Sequence, residues 1–288
     1  MDQAPVLGVI GGTGLYSFEG LTNTETREFD TPFGKPSAPI ILGELKGKPV
    51  AFLARHGIGH HLMPSEVNYR ANIYALKALG VRRVISVSAC GSLREDYAPG
   101  HIVIPDQIFD FTHKREHTFF GEGLVAHISV ANPFCKSLSA LLFSALKAEN
   151  AKVHNNGTYI TIEGPRFSTK GESNAFRSWG MSIIGMTASP EVFLAREAEL
   201  CYATMAHITD YDVWHVSEEP VTLDVVIRTL SKNTKLAQNA ILRLIDMLDQ
   251  QEPCQCGSAL KDSFITDPSI IPLETRKKLD LLINKYLD

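Results

Sequence analysis

Short apolar runs recur along the chain, and most of them stop in glycine, a hydroxyl residue or an acid. Val6-Leu-Gly-Val-Ile10 runs into Gly11-Gly-Thr-Gly14, and Val84 to Val87 leads to Ser88-Ala-Cys-Gly-Ser92. Tyr159 to Ile162 ends at Glu163-Gly-Pro-Arg-Phe-Ser168, and Tyr202 to Ile208 ends at Thr209-Asp-Tyr-Asp212. Apolar runs this short, without polar alternation, predict strands buried on both faces, as in a parallel sheet. Ile40 to Glu44 and Val50 to Leu53, on either side of Lys46-Gly-Lys48, predict a hairpin. His101 to Ile104, Gln107 to Phe111 and Ser182 to Gly185 predict further strands.

Helical spacing fills the gaps between them. A helix is expected from Pro64-Ser65-Glu66 to Leu79, capped by Ser65 and stopped by Gly80, with Val67, Ala71, Tyr74 and Ala78 on one face. Others are expected over Lys136–Asn150, over Lys170–Trp179, and from Ser189-Pro190-Glu191 to about Leu200. The longest runs from about Thr222 to Asp249, with Leu223, Val226, Leu230, Leu236, Ala240, Leu244 and Leu248 on the face that meets the sheet. A last helix, Pro272–Leu287, folds over an edge or reaches a neighbour. Thr112–Gly123 reads as a loop. Strands alternating with helices predict a single-domain, three-layer α/β/α sandwich around a mixed sheet. With no internal repeat or linker, residues 1–288 read as one domain with a C-terminal extension from about residue 250.

Composition narrows the function. The net charge of −4 and the lack of any basic block argue against a nucleic-acid surface. No apolar run reaches the roughly 20 residues that span a bilayer, and Met1-Asp-Gln-Ala-Pro5 lacks a secretory pattern, so a cytoplasmic enzyme is expected. The five cysteines, at 90, 135, 201, 254 and 256, match no zinc spacing, and no metal site is expected. Cys135 and Cys201 read as small buried residues. Cys254-Gln-Cys256 reads either as a labile disulfide or as two free surface thiols.

Candidate chemistry gathers at the strand ends, where open α/β sheets bind ligands. Gly11-Gly-Thr-Gly14 offers backbone N–H groups and a hydroxyl to an anion, but it lacks dinucleotide or P-loop spacing. Arg55-His56 adds a fixed charge and a second donor, and Ser88-Ala89 adds a hydroxyl and an N–H. Three such elements without a metal motif point to free phosphate. Asp210 and Asp212 on their own read as a solvated turn or a cap.

Six stretches change that balance. Val9-Ile-Gly-Gly-Thr-Gly-Leu15, Asp30-Thr-Pro-Phe-Gly-Lys-Pro36, Leu53-Ala-Arg-His-Gly57, Ala89-Cys-Gly-Ser-Leu-Arg94, Ile162-Glu-Gly-Pro-Arg-Phe-Ser168 and Thr209-Asp-Tyr-Asp-Val-Trp214 closely resemble the S-methyl-5'-thioadenosine phosphorylases of the trimeric purine nucleoside phosphorylase group. The resemblance covers about Val6 to Leu248 and implies a purine nucleoside phosphorylase-like fold. The implied reaction is phosphate displacing adenine from methylthioadenosine, with no cofactor beyond inorganic phosphate as co-substrate. It implies phosphate contacts from Thr13, Arg55, His56, Ser88, Ala89 and Thr187, and a ribose contact from Met186. Phe167 and Ser168 would line the base pocket, with Asp210 and Asp212 catalytic at the purine edge. Val226 and Ile227 would form the apolar 5' pocket, joined by His127 of a neighbouring subunit in a trimer or a dimer of trimers. Ser88 stands where many relatives have threonine, and Met186-Thr-Ala-Ser-Pro190 carries smaller residues than usual. A phosphorylase acting on adenosine or 6-oxopurine nucleosides is the nearest alternative, and a nucleoside-binding module without turnover the more distant one.

Overall fold

The computed structural model describes residues 3–11, 18–216 and 222–287. Strand β1 (Leu7–Gly11) is wholly buried and lies between two parallel neighbours, β4 (Lys48–Ala54) and β5 (Arg83–Ser92). Beyond β4 lie β3 (Ile40–Leu45) and β2 (Thr22–Arg27), both antiparallel. The β3–β4 turn is made by Lys46 and Gly47, both at positive φ (52° and 71°), which matches the right-handed twist of the two strands. On its other side β5 pairs in parallel with β11 (Cys201–Asp210), which is buried along its whole length. The antiparallel strand β6 (Ile102–Ile104) and then β8 (Val153–Asn155) extend that side. At its far end β5 diverges to pair with β10 (Ile183–Gly185), which leads to β9 (Thr158–Ile162) and β7 (Gln107–Phe111). The sheet is therefore mixed, with eleven strands among the described residues.

Side chains of opposite parity along β1, β5 and β11 feed two separate cores. Ile10, Val84 and Tyr202 face one, packed with helices α1 (Tyr69–Ala78), α4 (Ala188–Glu197) and α6 (Leu273–Ile283). Leu7, Val9, Ile85, Val87, Ala203 and Met205 face the other, packed with α2 (Lys136–Ala148) and α5 (Leu223–Met247). Helix α3 (Lys170–Ser178) opens with a reciprocal capping box between Thr169 and Glu172. Three layers result, as the alternation of strands and helices predicts.

The local differences have physical causes. Helix α1 begins three residues later than expected, at Tyr69, because Asn68 takes the cap and accepts from Ala71 N. Glu66 instead closes a separate turn by accepting from Met63 N at 2.9 Å. The buried face of α1 carries Tyr69, Asn72, Ile73 and Leu76, while Tyr74 is half-buried and Ala78 exposed. Strand β2 has no apolar alternation, since all its residues but half-buried Arg27 are exposed, and no strand is expected there from sequence. Helix α5 packs on the sheet through its C-terminal half, where Ala237, Ala240, Ile241, Leu244 and Ile245 are buried, while the side chain of Leu230, expected on the same face, lies outside the described residues. Its N-terminal half leaves Leu223 and Ile227 exposed. Helix α6 folds back on its own chain, burying Leu279, Leu282 and Ile283.

The cysteines depart furthest from expectation. Cys256 is buried, so Cys254 and Cys256 are neither a closed disulfide nor a pair of surface thiols. Both meet Cys135 and Cys201, and the four sulfur atoms lie within 4.8 Å of one another. Spacing could not reveal this, because three segments far apart in sequence contribute.

Candidate active site

The carboxyl ends of β4, β1, β5 and β11 point the same way, because these strands are parallel. Arg55 and His56 follow β4 directly, and Arg55 N donates to Gly11 O at 3.0 Å, tying the ends of β4 and β1 together. The Arg55 side chain is fully buried and grips Glu191 with two donors, Nε at 2.7 Å and Nη2 at 2.9 Å. Nη2 also donates to Ser86 Oγ at 2.6 Å, and Nη1 to Val87 O at 3.2 Å. Among the described residues that leaves one Nη1 N–H of the guanidinium uncommitted, on the nitrogen that reaches Val87, the residue before Ser88. Glu191 holds the Arg55 pKa far above its ordinary value despite burial, so the charge is permanent.

His56 is neutral at pH 7, since burial, followed by the Arg55 charge, pushes its pKa down to about 4. Its Nδ1 lies 2.9 Å from Leu62 O, which can only accept. The proton therefore sits on Nδ1, and Nε2 presents a lone pair until a bound anion raises the ring's pKa enough for it to take up a proton from solvent. Ser88 Oγ lies 3.2 Å from Thr187 Oγ1. Thr187 is the residue before α4, yet its hydroxyl makes no cap bond there and turns to Ser88 instead. Ala89 is half-buried beside it, and Met186 immediately precedes Thr187. Ser88 and Thr187 thus meet, with Arg55 close by. Thr13 lies outside the described residues.

The two aspartates stand at the other side of the same sheet edge. A register shift between Ile208 and Asp210 sets Asp210 opposite Gly91. Asp210 is buried and accepts from the Thr209 hydroxyl at 2.6 Å and from Asp212 N at 2.8 Å. Burial outweighs both bonds and, with some help from the Asp212 charge, raises its pKa to about 6. Asp212 follows at φ 53°, in the left-handed region that Asp tolerates better than most residues. Its pKa is also raised by burial, against the opposing effect of the nearby Ser173 and Ser168 hydroxyls. Asp212 Oδ2, Ser168 Oγ and Ser173 Oγ are nonetheless all buried without a well-formed hydrogen bond. Buried polar atoms left in that state are unusual. Gly91 must stay small, because a Cβ there would stand 2.9 Å from Asp210 Oδ1.

Phe167 is partly exposed beside Ser168, at the mouth of this group. Val226 is half-buried and Ile227 is 51% exposed on the N-terminal half of α5. His127 is exposed in the loop that pairs with Phe264, where its backbone N donates to Ser263 O.

Several supporting residues escaped the sequence. Glu191 reads there as a helix-start acid, whereas it is the buried partner of Arg55. Arg115 lies in a stretch that reads as loop, yet it is buried and joins three strand and helix ends. It donates to Met186 O at 2.7 Å, Ser189 O at 2.6 Å, Glu163 O at 2.9 Å and Glu163 Oε1 at 3.0 Å. Only Glu163 carried a signal, through its place in the Ile162–Ser168 motif.

The phosphorylase superfamily model matches residues 6–246. The S-methyl-5'-thioadenosine phosphorylase of Geobacter sulfurreducens is 52% identical over 288 residues, all of both chains. That of Chloroflexus aurantiacus is 52% identical over 285 residues, 99% of each chain. Among solved structures, a methylthioadenosine phosphorylase from an Antarctic soil metagenomic library is similar at TM-score 0.92, with 46% identity, covering 97% of this chain and 99% of that one. The methylthioadenosine phosphorylase of Schistosoma mansoni, solved in complex with adenine, is similar at TM-score 0.85, with 36% identity over 90% of this chain and 96% of that one. With the two buried aspartates, the Ser88–Thr187 pair and the eleven-stranded mixed sheet, these likenesses place the chain in the phosphorylase superfamily, within the family of the S-methyl-5'-thioadenosine phosphorylases.

Proposed function

We propose that the protein cleaves S-methyl-5'-thioadenosine with inorganic phosphate, releasing adenine and 5-methylthioribose 1-phosphate. The carrying observation is the buried Asp210–Asp212 pair, one of whose members is raised toward neutrality, on the strand beside the Ser88–Thr187 hydroxyls. Along β5, Gly91 opposite Asp210 lies three residues beyond Ser88, about 10 Å of strand, which leaves room for a pentose between phosphate and purine.

Phosphate is held by Ser88, Thr187, the N–H of Ala89, the remaining Arg55 N–H, His56 and Thr13. One of its oxygens bonds to the ribose anomeric carbon as the bond from that carbon to the purine nitrogen breaks. The bonding pair leaves with the purine, so negative charge builds there while positive charge builds on the sugar. Asp210 delivers its proton to purine N7, and its carboxylate is reprotonated from solvent after release. Asp212, whose Oδ2 lacks a well-formed bond, accepts from the 6-amino group. A 6-oxopurine would leave that acceptor facing another acceptor, which disfavours it. Met186 lies under the ribose and Phe167 with Ser168 lines the base. Val226 and Ile227 cover the methylthio group, joined by His127 of a neighbouring copy. Exposed Val125 and Val130 on either side of His127 support a face that another subunit covers. The working form is a trimer or dimer of trimers in the cytoplasm, acting without a cofactor. No helix among the described residues is long and apolar enough to cross a membrane.

The test is release of adenine or hypoxanthine from methylthioadenosine, adenosine, methylthioinosine and inosine, each with and without phosphate. The highest kcat/KM is expected for methylthioadenosine, with release strictly dependent on phosphate. Release that continues without phosphate would make the protein a hydrolase and sink the reading.

A further inference from the structure

Far from the aspartates, the other end of β11 carries a cluster that the phosphorolysis does not use. Cys201 opens β11 and Cys135 is the residue before α2. Backbone bonds fix both positions: Cys135 N donates to Tyr202 O at 2.8 Å, and Cys201 N to Arg82 O at 2.9 Å. Cys254 and Cys256 arrive from the segment after α5, and the four sulfurs lie within 4.8 Å of one another, Cys201 to Cys254 at 3.3 Å.

We propose that Cys135, Cys201, Cys254 and Cys256 form a tetrathiolate site for a zinc ion that clips residues 251–287 to the sheet. In a tetrahedral zinc site, metal–sulfur bonds of about 2.3 Å put the sulfurs about 3.8 Å apart, within the observed spread. The four ligands are the complete set for a closed structural site, and no fifth group is needed. Three of the thiols are buried and Cys254 is exposed, which gives the ion an entry path.

The surroundings suit a group with a double negative charge. Loading is Zn²⁺ plus four thiols giving a tetrathiolate dianion and four released protons. Arg196 Nη1 lies 3.5 Å from Cys256 Sγ, and Cys135 sits at the positive end of α2. Gln251 turns its amide N–H toward Cys201 Sγ at 3.5 Å, while its oxygen accepts from Arg83 Nε, which fixes the orientation. N–H donors aimed at sulfur orient and stabilise thiolate ligands.

The experiment uses the full chain, purified under reductant without chelator. Elemental analysis is expected to give one zinc per chain. Exchange into cobalt is expected to give the intense visible absorption of a tetrahedral cobalt tetrathiolate. The double variant Cys254→Ser, Cys256→Ser is expected to lose that absorption and to melt lower by roughly 5–10 °C. Its kcat/KM should stay within about twofold, because ten residues of β11 put about 30 Å between the clip and Asp210. If the variant does not fold, stripping and reloading the wild type reads the same stoichiometry and absorption. The proposal is overturned if the wild type holds four free thiols that take up no cobalt. An iron–sulfur chromophore overturns it too, as does a mass lighter by the four hydrogens of two disulfides.

Discussion

Asp210 carries a conflict between stability and function in one side chain. Its pKa is 3.8 in the ordinary case and about 6 in the fold, because burial disfavours the carboxylate. The folded chain therefore binds this proton more tightly than the unfolded chain, and stability falls as pH rises from about 4 to about 6. Above that window the whole penalty is present, at most about 3 kcal/mol for a two-unit separation. Asp210→Asn should raise the melting temperature at pH 8 and leave it unchanged below pH 4. The same substitution should lower kcat/KM by roughly 10²–10⁴-fold, the ordinary worth of a general acid. In the wild type, kcat/KM should decline above about pH 6 as Asp210 loses its proton. A flat profile through that range would remove Asp210 from the role of donor. Gly91 makes a second prediction at this scale. Gly91→Ala places a methyl group against Asp210 Oδ1, Ile184 and Asp212 Cβ at 2.9–3.3 Å, so Asp210 must shift. A loss of about 100-fold in kcat/KM is expected with a normal far-ultraviolet spectrum; full activity would mean the aspartate position is not critical.

Helix α4 does two jobs at once. Its preceding residue, Thr187, meets Ser88 in the proposed phosphate site, and its first turn delivers Glu191 to Arg55 in the buried core. Removing one member of such a pair leaves the other charge buried and uncompensated, at a cost of about 3–5 kcal/mol. Glu191→Ala should thus lower the urea midpoint sharply and raise the KM for phosphate more than that for the nucleoside. Equal changes in both KM values would show that Glu191 serves the fold alone. Helix α3 serves the proposed purine side, since its capping box fixes the turn that carries Ser173 toward Asp212. Helix α5 buries its C-terminal half in the core and leaves Leu223 and Ile227 exposed near its start. Arg115 binds these pieces from outside the regular elements, holding the ends of β9 and β10 and the start of α4 in register.

At the scale of the whole molecule, the proposed 5' pocket draws on a second copy, whose His127 would join Val226 and Ile227. Sedimentation should give three or six copies at working concentration. His127→Ala should raise the KM for methylthioadenosine severalfold while leaving the KM for phosphate unchanged. A fully active monomer would refute the shared pocket.

Residue patterns alone carried the sandwich, since a strand buried on both faces is apolar along most of its length, as β1 and the first eight residues of β11 are. The Lys46–Gly47 turn was equally legible, because its backbone conformation restricts residue choice. The motifs around Arg55, Ser88, Ile162–Ser168 and Asp210 were legible through their resemblance to a family. What stayed hidden depends on partners distant in the chain. Glu191 is an ordinary helix-start acid until Arg55 is seen 136 positions away. Arg115 is a loop arginine until six acceptors surround it, and β2 shows no strand pattern until β3 supplies its hydrogen bonds. The four cysteines show the limit most clearly. Spacing reports ligand sets only when neighbours in sequence are neighbours in space, and here only the packing of α2, β11 and the tail brings the sulfurs together. The same holds for Asp210 and Asp212. Sequence alone makes them a turn, and burial at the end of β11 turns one of them into an acid fit to give up a proton near neutral pH.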